Sequence, residues 1–190
     1  MPQTPLRNGS SSGSVSYDFI VMNIRTAVPQ DAAVLADLAR TTFYDAFAAT
    51  NDATDMALHL ERAYGVPQQT AEIRDSRITT LLVEQGSSAI AYAQIRDHHI
   101  PDCVSGPAPI ELWRFYVDRG WHGRGIAPAL LERVKAESRL RGARTLWLGV
   151  WERNDRARAF YAKCGFADAG EHIFLFGTDP QTDRVMTLAL

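Results

Sequence analysis

Residues 111–127 read ELWRFYVDRGWHGRGIA. Glu111–Val117 combines aromatic and β-favouring side chains and predicts a strand. Asp118–Gly125 contains three glycines and predicts a turn. From Ile126 onward the apolar positions Ile126, Leu130, Leu131 and Val134 fall at helical spacing, which predicts a helix over 126–140. Pro128 fits its first turn, where a missing N–H costs nothing. A strand, a glycine turn and a helix in that order point the free N–H groups and positive end of the helix at whatever sits on the turn, an arrangement that suits phosphate. Gly-x-Gly also serves as plain punctuation, and the stretch by itself leaves both readings open. Two phosphate-binding patterns are excluded. The dinucleotide fingerprint needs Gly or Ala where Pro128 stands and an acid about 20 residues on, and the nucleotide P-loop needs Gly-Lys-Ser/Thr.

Working outward, Thr145–Trp151 (TLWLGVW) predicts another strand. Asn154 or Asp155 caps a short helix running to Lys163, with Gly165 at its left-handed exit. Glu171–Phe176 and Arg184–Leu190 predict two last strands around a turn at 177–183. Upstream, Thr79–Glu84 and Ala89–Arg96 read as a hairpin, followed by a polar loop over 97–109. A helix begins after Pro29 with Asp31 placed as its cap, and a second spans Asp52–Tyr64, ended by Gly65-Val66-Pro67. A first strand covers Ile20–Arg25. Residues 1–19 are rich in Ser, Gly, Pro and Thr and are expected to be a disordered extension, leaving one domain over 20–190. The fold class is mixed α/β.

The chain has 190 residues, 46% hydrophobic and 22% charged, an ordinary balance for one globular domain. Cys103 and Cys164 lie far apart without a Cys-x-x-Cys pairing, which argues against a disulfide scaffold, against a metal site and for a reducing compartment. No apolar run approaches the roughly 18 residues of a membrane span, and no signal-peptide pattern opens the chain. A cytoplasmic protein with no membrane partner is expected. The net charge of −2 speaks against nucleic acid, yet it hides a division. Residues 1–110 carry −5 and residues 111–190 carry +3, with +7 concentrated in 119–163. That basic window either is a solvated face or receives a polyanion.

Several spaced elements together resemble the GCN5-related N-acetyltransferase (GNAT) family. Its acyl-CoA loop, Gln/Arg-x-x-Gly-x-Gly/Ala, is matched by His122-Gly123-Arg124-Gly125-Ile126-Ala127 at all but the first position. Glu111 lies eleven residues before that position, the spacing of the general-base glutamate in the family's histone acetyltransferases. Asn154-Asp155-Arg156-Ala157-Arg158-Ala159-Phe160-Tyr161, followed by Gly165-Phe166, matches the family's Asn-x-x-Ala-x-x-Phe-Tyr…Gly-Phe element. The closing stretch is similar to the PaiA-type polyamine acetyltransferases.

The resemblance implies a mixed, mostly antiparallel sheet with helices on both faces, whose strands 111–117 and 145–151 splay apart. The donor it implies is acetyl-CoA, with no metal. Backbone groups of Phe115, Tyr116 and Val117 would pair with the pantetheine arm, and N–H groups from Gly123 to Ala127 would hold the pyrophosphate. Arg124 would touch a phosphate, and His122 would donate to one less strongly than the usual Gln or Arg. Asn154 would orient the cofactor or merely cap its helix, with Ala157 beside it. Tyr161 would protonate the leaving thiolate. Glu111 would act as base through water, or simply pair with an arginine. The expected acceptor is a primary amine, a polyamine or other small cationic amine, drawn by acids at Asp45, Asp52, Asp55, Glu61, Asp97 and Asp102. Two alternatives are a non-catalytic acyl-CoA-binding module and an acetyltransferase acting on a protein amine. A homodimer is expected from the resemblance and from the apolar last strand, Val185, Met186, Leu188 and Leu190.

Overall fold

The computed structural model describes residues 22–190. The extension over 1–19, together with Ile20 and Val21 of the expected first strand, lies outside the described residues. Seven strands form one sheet: β1 (Met22–Thr26), β2 (Ile78–Gln85), β3 (Ser88–Arg96), β4 (Pro109–Val117), β5 (Thr145–Trp151), β6 (Ala167–Phe176) and β7 (Asp179–Ala189). Their order across the sheet is β1-β2-β3-β4-β5-β7-β6. Every neighbouring pair is antiparallel except β4 and β5. Five α-helices accompany them among the described residues: α1 (Ala32–Phe47), α2 (Ala53–Ala63), α3 (Val66–Arg74), α4 (Ile126–Leu140) and α5 (Asp155–Lys163).

The two-residue period of a strand sorts the core into two layers. In β2, Leu81 and Val83 face the layer shared with Leu130, Leu131 and Val134 of α4, while Leu82 faces Leu35, Phe43 and Leu60 of α1 and α2. Helices thus cover both faces of the sheet. Between β3 and β4 the register steps from Gln94↔Arg114 to Ile95↔Leu112, leaving Trp113 as an extra residue. Such a bulge bends and twists its strand. It explains why Ile110 and Leu112 before it, and Phe115 and Val117 after it, all pack into the α4 layer.

That bend opens the sheet. β4 and β5 pair only at Pro109↔Thr145, Ile110↔Leu146 and Glu111↔Trp147. β5 nonetheless stays with β7 over its full length, from Thr145↔Ala189 to Trp151↔Asp183. Beyond Glu111 the backbone of β4 therefore faces a gap.

Several elements differ from expectation. Asp31 does not cap α1. Its carboxylate accepts the Val28 N–H at 2.7 Å and two bonds from the Arg25 guanidinium at 2.6 and 2.8 Å. Gly65-Val66-Pro67 ends α2 and also begins α3, which the sequence reading missed. Pro67 sits in its first turn, and the residues α3 buries, Gln69 and Glu72, are polar. The β6–β7 hairpin is longer than expected, with strands meeting at Phe176↔Asp179. Val185 and Met186 are buried within the chain, so the apolar run of the last strand is core and gives no independent support for a dimer.

Candidate active site

The turn before α4 is built for close approach. Gly123 and Gly125 sit at φ +76° and +79°, a left-handed backbone that glycine adopts without a Cβ penalty, and nothing among the described residues lies within 4 Å of where a Cβ would stand. Gly125 is the N-cap of α4 and makes no side-chain capping bond, so no side chain among the described residues takes the first N–H groups of this 15-residue helix. Ile126 is buried and anchors the turn. Arg124 is exposed, its guanidinium 5.0 Å from the Trp121 ring centroid. His122 is placed differently from the sequence expectation. Nδ1 lies 3.0 Å from the Arg156 guanidinium, and Nε2 lies 2.9 Å from the Val117 carbonyl. Arginine only donates, so Nδ1 accepts and Nε2–H donates, and the ring is a strut between β4 and α5. Both nitrogens are then engaged, and the basic group brought to this turn is Arg156.

Two cavities adjoin in the gap. One of about 450 Å³ is lined by Phe115, Tyr116, Val117, His122, Asn154 and Ala157, together with Arg156. The residues expected along the cofactor arm thus come together. Asn154 Oδ1 accepts the Ala157 N–H at 3.1 Å, the capping role, and the same residue lines both cavities. The other cavity, about 300 Å³, runs from the gap toward α1 and α2 and is lined by Glu111, Arg96, Tyr161, His172 and Asp183 among aromatic walls.

Tyr161 packs between Phe115, Phe160 and Phe166 with ring centroids 5.3–6.2 Å away. Burial pushes its phenol above the usual range, so the proton stays on at neutral pH. Glu111 is 6% exposed and engaged by Arg96, whose Nε donates to Oε2 at 2.5 Å and whose second nitrogen donates to Oε1 at 3.3 Å. Behind it the Arg114 guanidinium donates to Glu72 at 2.6 Å and to Gln94 at 2.7 Å. Trp113, the bulge residue, has both guanidinium carbons 3.8 Å from its ring centroid.

The acids expected to draw the amine do not gather. Asp52 caps α2, Asp55 accepts from the Thr178 N–H and hydroxyl, and Asp97 pairs with Arg141. Glu61 and Asp102 line neither cavity, and Asp45 borders only the outer one. The resemblance placed these acids near the site, but local capping and pairing use Asp52, Asp55 and Asp97. The site instead holds two residues that the sequence reading passed over, His172 on β6 and Asp183 on β7, opposite one another in register. Burial lifts the Asp183 carboxyl to about 6. Burial lowers His172, with the charge of Glu111 acting the other way. His59, stacked on Phe43 and Phe176, is pushed down to about 4 by burial and by Arg114, and is neutral. One signal could have found the pair. Gly149 stands mid-strand in TLWLGVW, where glycine marks close approach by another group. A Cβ there would lie 2.7 Å from His172 Nε2 and 3.1 Å from Asp183 Oδ2.

Known proteins share this architecture. An uncharacterized N-acetyltransferase from the pepI 3′ region of Lactobacillus delbrueckii subsp. lactis is 30% identical over 153 residues, covering 80% of this chain and 88% of its own. The PaiA N-acetyltransferase of Thermoplasma acidophilum, solved with coenzyme A, superposes with a TM-score of 0.75 at 20% identity, over 89% of this chain and 99% of that one. A putative acetyltransferase, yncA, from Salmonella typhimurium, solved with acetyl-CoA, gives a TM-score of 0.65 at 22% identity, over 89% and 94%. The family model described as acetyltransferase (GNAT) family matches residues 37–166. With the splayed strands, the glycine turn and the Asn154–Phe166 element all in place, the chain belongs to the GNAT family of N-acetyltransferases and is an acyltransferase.

Proposed function

We propose that the chain transfers an acetyl group from acetyl-CoA directly onto the primary amine of a small molecule. The observation that carries this reading is the gap itself: β4 leaves β5 after three residue pairs, and the opening runs from the uncapped start of α4 to a cavity containing Tyr161 and Glu111. The residues present fit an acyl-CoA. The backbone of Phe115–Val117 has an edge free for an amide-bearing arm, and the N–H groups of Gly123–Ala127 cradle a pyrophosphate. Arg124 and Arg156 flank that turn within a stretch of net charge +7, against the roughly four negative charges of coenzyme A. Asn154 and Ala157 form the facing wall. When bound, acetyl-CoA supplies an activated acyl carbon.

The chain's own groups do the rest. Glu111, held by Arg96, takes the ammonium proton through a water. A backbone N–H near Val117 stabilises the oxyanion, and Tyr161, kept protonated by burial, donates to the departing sulfur. The carbon–nitrogen bond forms, the carbon–sulfur bond breaks, and one proton is released per turnover. Thiol release from acetyl-CoA against an amine panel tests this. Tyr161→Phe is expected to lower kcat about 100-fold with little change in the KM for acetyl-CoA. Cofactor binding without turnover on any amine overturns the reading.

We place the working protein in the cytoplasm; among the described residues no helix is long and apolar enough to cross a membrane. We take it as a homodimer built on β6, an edge of the sheet where Ile173 and Leu175 are exposed. Light scattering that returns the mass of one chain overturns the dimer.

A further inference from the structure

The inner cavity holds one acid without a cation. Its two arginines are already engaged, Arg96 by Glu111 and Arg114 by Glu72 and Gln94. Asp183 has a side chain only 14% exposed, and among the described residues its one ion-pair contact is His172 Nε2, at 3.8 Å from Oδ2. That separation is too long for a hydrogen bond. His172 Nε2 is buried and has no partner of its own among the described residues. Native structures rarely leave a buried polar atom unmatched, and this one lies beside the Asp183 carboxylate in a cavity that opens to solvent. Both tips lie over the bare Cα of Gly149, in space that a Cβ would fill.

We propose that Asp183 and His172 Nε2 form the seat for the ammonium group of the acceptor, and that the acceptor is a primary amine bearing a single positive charge on an apolar or aromatic body. This deepens the acetyl-transfer reading and rests on it. An ammonium offers three N–H donors. One goes to the Asp183 carboxylate, and a second goes to Nε2 of a neutral imidazole with its proton on Nδ1. The charge balance sets the class. Glu111 cancels Arg96 and Glu72 cancels Arg114, so Asp183 leaves the cavity one negative charge to be met. The rest of the wall is chiefly aromatic, with Gln181 and Asn51 tied to each other as an uncharged amide pair: Phe174 and Phe176 follow His172 along the same face of β6, and Phe43, Phe47 and Trp151 close the other side. A polyamine would bring further ammonium groups against those rings with no second acid to receive them, a desolvation cost that an aromatic monoamine avoids.

The test uses the full chain saturated with coenzyme A and titrated calorimetrically with 2-phenylethylamine and with spermidine. 2-Phenylethylamine is expected to bind at least about 10-fold more tightly than spermidine. Asp183→Asn is expected to weaken it by about 10-fold or more, the worth of one hydrogen bond to a charged group, with coenzyme A affinity unchanged as the sign of an intact fold. Gly149→Ala, whose Cβ enters the same space, is expected to give the same selective loss. Tighter binding of spermidine, or equal 2-phenylethylamine binding by Asp183→Asn, overturns the seat. Turnover separates the two readings. Selective binding without acetylation keeps the seat and removes acetyl transfer, whereas acetylation unaffected by Asp183→Asn removes the seat alone.

Discussion

Replacing Asp183 by Asn is expected to stabilise the folded chain above pH 6 and to leave it unchanged near pH 4. Burial lifts this carboxyl from 3.8 to about 6, and a shift of about two units corresponds to ~3 kcal/mol. Between about pH 4 and pH 6 the folded chain holds a proton on Asp183 that the unfolded chain has lost, so stability falls as pH rises through that window. Above pH 6 the full penalty is present. Asn carries no charge to desolvate, and the difference between the two proteins should grow from near zero at pH 4 to ~3 kcal/mol at pH 7. For a domain of this size that is roughly 6–12 °C in Tm. The groups facing Asp183 do not relieve the penalty: burial disfavours the charged form of His172 on β6, and Glu111 on β4 is already tied to Arg96 on β3. Urea denaturation of both proteins from pH 4 to pH 8 measures the difference. A gap independent of pH, or a less stable Asn variant at pH 7, refutes the reasoning.

Glu111→Gln is expected to lower kcat/KM most at neutral pH and to recover partly at high pH, where more of the amine is already neutral; a uniform loss assigns Glu111 to positioning. The same change leaves Arg96 without its acid in a mostly buried pair, so chemical denaturation should show a loss of up to about 3 kcal/mol. Gly125→Ala meets no neighbour, so its cost is the left-handed backbone alone, about 1–2 kcal/mol, and calorimetry should show weaker acetyl-CoA binding because the turn shifts. His122→Ala releases Arg156 from Nδ1 and is expected to raise the KM for acetyl-CoA without changing the kcat; an equal fall in kcat would contradict the strut.

The elements legible in the sequence were those with apolar periodicity or turn chemistry. The helix over 126–140, the hairpin around Gly86 and the strand over 145–151 appear with those bounds or within a residue or two, because Leu130 and Leu131, or Leu81 and Val83, declare the face they bury. The glycine turn was legible for a related reason: Gly123 and Gly125 stand two apart in sequence, and glycine at positive φ leaves a local mark. Helix α3 was not, because what it buries is Glu72 and Gln69, which look solvent-facing until Arg114, 42 positions away, arrives to meet Glu72. His172 and Asp183 were hidden likewise, since their significance comes from the pairing of β5, β6 and β7 over one glycine. Asp52, Asp55 and Asp97 misled for the converse reason, being committed to a helix cap, to Thr178 and to Arg141, partners that position in the sequence does not reveal.

The free edge of β4 carries a consequence for how such a molecule diversifies. On the function proposed above, what it and the α4 turn present to a donor is main chain, and substitution changes side chains. Drift in sequence therefore leaves the donor half largely intact as long as the glycines and the bulge persist. The end of the inner cavity away from the gap is written in side chains from α1, α2 and the β6–β7 hairpin, each open to replacement one residue at a time. Two chains with 20–30% identity can thus retain one donor and part company over the acceptor, and a selection experiment that randomised Phe47, His172, Phe174 and Asp183 would explore new acceptors on a scaffold already fixed for the rest.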